Sequence, residues 1–345
     1  MKRRIYINGA EQISIQKPLC EEWIDDPISY NVKYTRSIEP DFKAFLSPIE
    51  ARRMGKILKR ALVTSLSVLK KCGIEKPEAI ITGTGLGCIE NTELFLDSLC
   101  RNGESLLKPT YFMQSTHNTI SSLLAIHTKS HGYNVTYAHK GISYDSALFD
   151  AYLQLGLGKI DNALVGGHDE MTPSYFNLLE KIDYVGGNMQ GVCGEAAVST
   201  ILSSDKNNSL CELLGIRIIY KPTPHKLRVL LEQMLIECEL DFSDIDAIMT
   251  GINGNIANDN VYMEYTNALP AQIPLLKYKH IFGECYTSSG FAIYTAAHCL
   301  HKNKFPGHMV YRNNISTKAD KVILLINHSD GKNFSLTLLR SICGN

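Results

Sequence analysis

The chain has 345 residues, and its 35 basic side chains balance its 35 acidic ones. This length predicts two domains or two fused halves with a substantial core, and the balanced charge argues against a nucleic-acid-binding protein. No apolar run approaches the ~20 residues that span a bilayer, and no apolar stretch follows the basic N-terminus MKRR. The ten cysteines form no CxxC pair, which is typical of free thiols in a reducing compartment. We therefore predict a cytoplasmic protein without a membrane span.

In the first half, predicted helices alternate with short buried strands. Ser47 and Glu50 predict a capping box around Pro48, and the helix that begins there is predicted to continue through Leu69 until Gly73 stops it. The remaining predicted elements are the strand Ala79–Thr82, a glycine turn at 83–87, the strand Val135–Ala138, a helix carrying Ala147 and Leu148, the strand Ala163–Val165 and a turn at Gly166-Gly167.

The second half repeats this order. AIITGTGLG at 79–87 and AIMTGINGN at 247–255 each follow an amphipathic helix pattern and end in a glycine-rich turn. A later helix carries Ala292 and Ala296, and a strand is predicted over 322–326. Helices alternating with apolar strands predict an α/β fold of largely buried parallel sheets covered by helices. We divide the chain into halves 1–205 and 206–345, joined near the polar segment 203–209.

The turn GTGLG at 83–87 invites a comparison with dinucleotide-binding loops. Its spacing does not match GxGxxG, because Cys88 takes the last glycine position, and no acidic residue follows at the required place. The glycines are better explained as positions where the chain leaves a buried strand with unusual dihedral angles.

An ordered series of motifs resembles the β-ketoacyl synthases of the thiolase superfamily. The matching segments are LFDAYLQLGLGKIDNALVGGHD at 148–169, QGVCGEAAVSTIL at 190–202 and KHIFGECYTSSG at 279–290. The segments PTYFMQSTHNTISSLLAIH at 109–127 and NVTYAHKGISYDSALFDA at 134–151 are similar to a divergent branch linked to aryl polyene and flexirubin pathways, which includes chain-length factors. The resemblance implies a thiolase-like layered α-β-α-β-α fold built from two duplicated halves.

The resemblance also implies where catalytic residues should lie. The family uses a cysteine at a helix N-terminus and two histidines, an arrangement that suits a thiolate and an oxyanion. Counting from Gly166-Gly167 places the cysteine position at Gly141, and the histidine positions fall on Gly251 and Glu284. We therefore expect no catalytic residue at these three positions, and no cofactor or metal.

The family's lysine is retained as Lys279, and Glu284 is a potential ion-pair partner for it. Lys279, His139, Ser143, Asn327 and His117 are candidate pocket residues. Ser143 with His139 is a conceivable relocated nucleophile and base, although Ser143 is more simply explained as a helix cap.

A spacing of four residues between His127 and His131 could bind a metal, but a solvated helix end explains it better.

Three functions follow as hypotheses. The first is a chain-length-factor-like subunit that pairs with an active ketosynthase, or with itself as a dimer, and serves an acyl carrier protein. In this hypothesis the strand at 134–138 meets the partner. The second is an active acyl-transferring or condensing enzyme that uses Ser143 and His139. The third is a homodimeric module that binds an acyl chain or a carrier protein.

Overall fold

The computed structural model of the protein describes residues 3–182, 184–185, 191–316, 318 and 320–342. Gln190, the first residue of one family-like motif, lies outside them. In the described part, eleven strands form one hydrogen-bonded sheet. They are β1 Tyr6–Ile13, β2 Ala79–Gly83, β3 Tyr133–Tyr137, β4 Asn162–Asp169, β5 Ala196–Ser203, β6 Cys211–Tyr220, β7 Ile245–Thr250, β8 Leu275–Lys277, β9 Val310–Arg312, β10 Val322–Ser329 and β11 Asn333–Arg340.

Helices cover both faces of the sheet. They are α1 Pro48–Arg53, α2 Lys56–Lys71, α3 Ile89–Asn102, α4 Pro109–Ser115, α5 Thr119–Thr128, α6 Ser143–Gly156, α7 Pro173–Lys181, α8 Pro224–Glu237, α9 Ile256–Thr266, α10 Lys279–Phe282 and α11 Ser289–Lys302. Within the described ranges, no helix is both long and apolar enough to cross a membrane.

Two sets of five strands have the same arrangement. The first set runs β3-β2-β4-β5-β1 and the second β8-β7-β10-β11-β6, with β9 added beyond β8. In each set the first three strands are parallel, and the fourth and fifth are antiparallel to their predecessors. The sets join where β1 pairs with β6. The predicted duplication is confirmed, while the boundary between residues 205 and 206, which falls between β5 and β6, stays a prediction.

Alternating side chains on the strands build five layers. Ile80 of β2 faces a cluster that contains residues of α2 and α5, whereas Ile81 faces the central cluster with α6 and α11. In the second set, Ile248 of β7 faces the cluster of α8 and α9, and Met249 faces the central cluster. This alternation follows from the two-residue period of a strand. The central helices contact both sets, and the predicted α-β-α-β-α layering is confirmed.

The predicted first helix is interrupted. Ser47 and Glu50 form the capping box of α1 as predicted, but Met54 adopts an extended conformation with ψ of 138°. Gly55 then starts α2 and donates its N–H to the side chain of Gln114. The prediction of one helix was wrong because this partner lies 59 residues away, beyond what local periodicity shows.

The predicted turn at Gly166-Gly167 was also wrong, because both glycines lie inside β4. A Cβ on Gly167 would come within 2.7 Å of the Tyr144 ring, and a Cβ on Gly166 within 2.3 Å of the His168 ring. The glycines therefore make room for buried rings, and they do not end the strand.

Gly83 marks a close approach between β2 and α6. A Cβ at this position would lie 2.5 Å from the backbone carbonyl carbon of Ser143. We predict that Gly83→Ala lowers the free energy of unfolding by about 3 kcal/mol or more, because a backbone contact cannot move aside as a side chain can. Gly307→Ala is the matched control, since a Cβ there meets nothing within 4 Å. Denaturant unfolding checks both, and similar small effects for the two variants would contradict the packing argument.

The N-terminal segment before α1 docks on α11 through a buried histidine. Trp23 packs against the rings of Phe282 and Tyr294. His298 Nδ1 lies 3.1 Å from Glu21 Oε1, and its Nε2 lies 3.2 Å from the carbonyl oxygen of Ala10. The hydrogen bond to His298 lowers the pKa of Glu21 from 4.5 to about 2, although burial acts in the opposite direction.

This contact predicts a pH dependence of stability. Because folding lowers the pKa of Glu21, its ionised form stabilises the protein above about pH 4.5, and this contribution is lost as the pH falls toward about 2. The wild type should therefore be more stable than Glu21→Gln at pH 6, with the difference shrinking over that acidic range. Denaturant unfolding measures it. The more exposed Glu22→Gln serves as control, and a pH-independent difference would contradict the assignment.

Candidate functional site

A cavity of about 320 Å³ opens beside Gly141, and we call it the Gly141 cavity. Its wall comes from both halves of the fold. Gly141 belongs to a short 3-10 turn before α6, Lys279 and Glu284 come from α10 and the segment after it, and Asn327 and His328 come from the end of β10. Two of the three positions that the family resemblance singles out, Gly141 and Glu284, therefore line one cavity.

Asn327 ties the two halves together at the floor of the Gly141 cavity. Its amide nitrogen donates to the carbonyl oxygen of Gly141 and to Asp145 Oδ2, both at 3.0 Å. Tyr262 donates to the Asn327 side-chain oxygen at 3.3 Å. A Cβ at Gly141 would lie 3.1 Å from Ser329 Oγ. Asn327 was predicted as a pocket residue, and the structure places it there as a positioning group.

Glu284 forms the predicted ion pair with Lys279. The Lys279 ammonium donates to both carboxylate oxygens, at 3.0 and 2.7 Å, and Asn253 Nδ2 donates to the second oxygen at 2.6 Å. Lys279 is only 5% exposed. Burial by itself would lower the pKa of Lys279, but the charge of Glu284 outweighs it, so the pKa is raised. Lys279 is therefore held charged, and it is paired with Glu284 at the cavity wall.

Gly251 lies beneath this ion pair. A Cβ at Gly251 would come within 2.5 Å of the Tyr262 hydroxyl and 2.7 Å of Lys279 Cε. A larger side chain would have to displace both neighbours. Of the three positions where the resemblance implies catalytic groups, Gly141 and Glu284 line the cavity and Gly251 lies next to Lys279 of its wall. They carry two glycines and a paired carboxylate.

His328 and Cys285 also line the Gly141 cavity, and the sequence did not single them out as functional candidates. Gly331 donates its N–H to His328 Nδ1 at 3.3 Å, and Nε2 lies 3.2 Å from the carbonyl oxygen of Asn258. These contacts fit a neutral ring with its hydrogen on Nε2. Burial, followed by the charge of Lys279, lowers the pKa of His328 to about 4.

Cys285 is the thiol nearest in sequence to Glu284. Burial raises the pKa of Cys285 well above its usual range, and the charges of Asp169 and Glu284 raise it further. The thiol is therefore protonated and a poor nucleophile. Its position directly after Glu284 was the sequence signal that it would lie near the cavity.

Ser143, His139 and His117 were predicted as pocket residues, but they lie outside the described lining of the Gly141 cavity. Ser143 is fully buried; its hydroxyl accepts the main-chain N–H of His139 at 2.7 Å and contacts the carbonyl oxygens of Thr84 and Lys140. The side chains of His139 and His117 are exposed. The structure therefore brings Ser143 together with the backbone of His139. The prediction that Ser143 is the N-cap of α6 was wrong, because Ile142 is the N-cap and Ser143 is the first helical residue, with its hydroxyl bonded to the segment before the helix.

The two glycine turns hold carboxylates of the protein itself. The N–H groups of Gly85 and Leu86 donate to Asp169 at 2.9–3.1 Å. In the second copy, the N–H groups of Asn253 and Gly254 donate to Asp259 at 3.0 and 2.9 Å. Burial raises the pKa of Asp169 to about 6, against the lowering effect of these hydrogen bonds. An internal carboxylate thus occupies the donors that a bound phosphate would need.

Potential metal ligands are spread over the described part of the structure. Among the described residues, no group of three or more histidine, cysteine, aspartate or glutamate side chains is arranged to hold a metal ion. Helix α5 ends at Thr128, and the backbone of Lys129 adopts a left-handed conformation. His131 therefore lies past the end of the helix that carries His127.

Comparison with known proteins places the chain in a family. Residues 23–213 match the family model for the N-terminal domain of beta-ketoacyl synthases. This match covers more than half of the chain, and the protein belongs to the beta-ketoacyl synthase family. Comparison with curated proteins gives no significant sequence match.

Solved structures with the same fold include three related assemblies. The ishigamide ketosynthase/chain length factor is 15% identical, with a TM-score of 0.80 and coverage of 99% of this chain and 100% of that chain. A ketosynthase in complex with its chain length factor from Xenorhabdus doucetiae is 14% identical, with a TM-score of 0.79 and coverage of 99% and 98%. A type II polyketide synthase acyl-carrier protein in complex with its ketosynthase bound to a hexaketide is 14% identical, with a TM-score of 0.76 and coverage of 99% and 100%.

We predict that Lys279 and Glu284 are strongly coupled in their contributions to the free energy of unfolding, as a double-mutant cycle would measure. Lys279→Met or Glu284→Gln alone should lower the free energy of unfolding by about 3–5 kcal/mol, because each leaves its partner's charge buried or poorly paired. The double variant should lose much less than the sum. Lys17→Met breaks an exposed pair with Glu22 and should cost less than about 1 kcal/mol. Additive losses at positions 279 and 284 would contradict this picture.

Proposed function

We propose that the protein is a ketosynthase-like subunit without condensing activity of its own, which acts as a chain-length-factor-like partner of an active β-ketoacyl-acyl-carrier-protein synthase. In this role it helps to shape the cavity that receives the growing acyl chain. Its site of action is the cytoplasm, as predicted from composition.

One observation carries the proposal. Gly141 and Glu284 line one cavity, and Gly251 lies next to the buried Lys279 that pairs with Glu284. The family resemblance implies a nucleophile and two histidines at these three positions. The scaffold of a condensing site is present, but these positions supply neither a thiolate nor an imidazole.

The remaining groups at the cavity do not replace the missing chemistry. Cys285 is a protonated thiol. Ser143 contacts three backbone groups around its buried hydroxyl, so it has no free path to an acyl carbonyl in the cavity. This geometry gives no support to the alternative in which Ser143 and His139 act as nucleophile and base.

The partner is proposed to bind at the edge of the first strand set. β3 lies at the end of the sheet and has one partner strand in the described structure, β2, so its outer N–H and C=O groups remain available for pairing. Helix α5 packs beside β3 and α4 packs beside α5. Ile126 of α5 and Met113 of α4 are 73% and 70% exposed, which is typical of an interaction surface when such side chains cluster.

The assemblies found among similar structures support this choice of partner. Two of the similar structures contain a ketosynthase together with a chain length factor, and a third contains an acyl-carrier protein with its ketosynthase. A homodimer that binds an acyl chain or carrier protein would use the same edge, so the experiment below separates the two assemblies.

The first experiment measures assembly and activity. Co-expressed with a candidate active ketosynthase, the protein should co-purify as a heterodimer, and the isolated protein should show no condensation of acyl and malonyl thioesters. Ile126→Glu should weaken heterodimer formation at least about tenfold, because it buries a charge in the interface. Ile236→Glu on α8 is the matched control, since Ile236 is also 73% exposed.

Two results of this experiment would count against the proposal. Robust condensation by the isolated protein would overturn it. A stable homodimer that binds none of the ketosynthases tested would favour the third hypothesis, a homodimeric module that binds an acyl chain or a carrier protein. Size-exclusion chromatography with light scattering distinguishes the assemblies.

A second experiment tests covalent chemistry. After incubation with a labelled acyl thioester, intact mass spectrometry of the isolated protein should show no adduct, because the described cavity offers no activated nucleophile. An adduct that Ser143→Ala abolishes would instead establish Ser143 as a relocated nucleophile of an active acyl-transferring enzyme. Since the buried Ser143 hydroxyl also bonds three backbone groups, the folded state of this variant is checked by circular dichroism.

A further inference from the structure

The described wall of the Gly141 cavity carries one cationic side chain and two carboxylates. Among its described lining residues, Lys279 is the single lysine or arginine, and its ammonium already contacts both oxygens of Glu284. Asp330 adds a second carboxylate at the exposed rim, where Tyr184 donates to it at 3.3 Å. The ring of His328 accepts one hydrogen bond and faces a carbonyl oxygen, as a neutral imidazole does.

Two buried donors converge on the place that Glu284 occupies. Lys279 Nζ and Asn253 Nδ2 both contact Glu284 Oε2, at 2.7 and 2.6 Å. An ammonium and an amide arranged in this way form a carboxylate-binding site. Here the protein fills that site with its own side chain, so an incoming carboxylate would meet Glu284 and find no free cation.

We propose that Glu284 sets the specificity of the Gly141 cavity, which accepts uncharged acyl groups and rejects acyl groups that end in a carboxylate. The proposal rests on the proposed function in one respect, namely that an acyl group reaches this cavity.

Physical arguments support each part of this specificity. Moving a carboxylate out of water without a cationic partner is strongly unfavourable, and the like charges of Glu284 and Asp330 add repulsion. An uncharged chain avoids both costs, and Val185, Val261 and Ala257 offer it apolar contacts. A volume of about 320 Å³ falls within the range of small-ligand pockets.

The test compares two probes of nearly equal shape on the isolated wild-type protein. Acetoacetyl-pantetheine ends in an uncharged methyl ketone, and malonyl-pantetheine ends in a carboxylate. Calorimetric titration at pH 7.5 should give a Kd for the malonyl probe at least about tenfold higher than for the acetoacetyl probe. Equal binding of the two probes, tighter binding of the malonyl probe, or no binding of either would overturn the proposal.

Variants assign the effect to Glu284. Glu284→Gln frees the ammonium of Lys279 and should improve malonyl binding at least about tenfold relative to acetoacetyl binding. The double variant Lys279→Gln with Glu284→Gln should lose this gain, because it lacks the cation. Asp330→Asn removes the same amount of charge at the rim and should change the ratio less than Glu284→Gln. An equal effect of Asp330→Asn and Glu284→Gln would overturn the assignment to Glu284.

The wild-type comparison needs no substitution, so a variant that fails to fold leaves the proposal open to refutation. The probe experiment is also independent of partner binding. If the protein selects the acetoacetyl probe but binds no ketosynthase, the role of Glu284 in the cavity is supported and the proposed function is overturned. If it forms the heterodimer but binds both probes equally, the proposed function is supported and the role of Glu284 is overturned.

Discussion

A buried carboxylate at the start of α6 holds the two halves of the protein in register. Asp145 is 5% exposed, and it accepts hydrogen bonds from Asn327 at the end of β10 and from Ser335 of β11. Burial raises the pKa of Asp145, and the hydrogen bonds from neutral donors act against that rise. Because Asn327 also holds the carbonyl of Gly141, the same network sets the position of the turn that opens the cavity.

Under the proposed function, the site is a scaffold that persists although its chemistry has changed. In the condensing arrangement that the family resemblance implies, the positions of Gly141, Gly251 and Glu284 carry reactive groups. Here the space above Gly251 is filled by Lys279 and Tyr262, and Glu284 neutralises the one lysine in the described cavity wall. The hydrogen bonds that organise the site, from Asn327, Asn253 and Tyr262, stabilise a closed network of polar groups. These hydrogen bonds thus fix the shape of the site.

Local patterns predicted most of the fold because they report on local physics. The capping box at Ser47, the short buried apolar strands and the duplicated turns were all visible in the sequence. The break at Gly55 and the strand position of Gly167 were not, because they depend on Gln114 of α4 and on Tyr144 of α6.

The candidate site was predictable to a smaller extent. The family resemblance located three positions that converge in space, and the short spacing of Lys279 and Glu284 indicated their pairing. The roles of Asn253 and His328 required the tertiary structure, since nothing in their local sequence shows which distant segments they face.

The position of β1 has a consequence for how this protein is made. β1 is the central strand that joins the two sets, and Tyr6 pairs with Ser203 on one side and with Glu212 on the other. A ribosome delivers this strand before its partners, which follow only after some two hundred further residues. During that interval the strand has two unpaired edges, which favours contact with other nascent chains. Because its pairings span such long stretches of sequence, closure of the sheet is expected to be a slow step of folding, and a chaperone that shields the N-terminal segment would raise the yield of native protein.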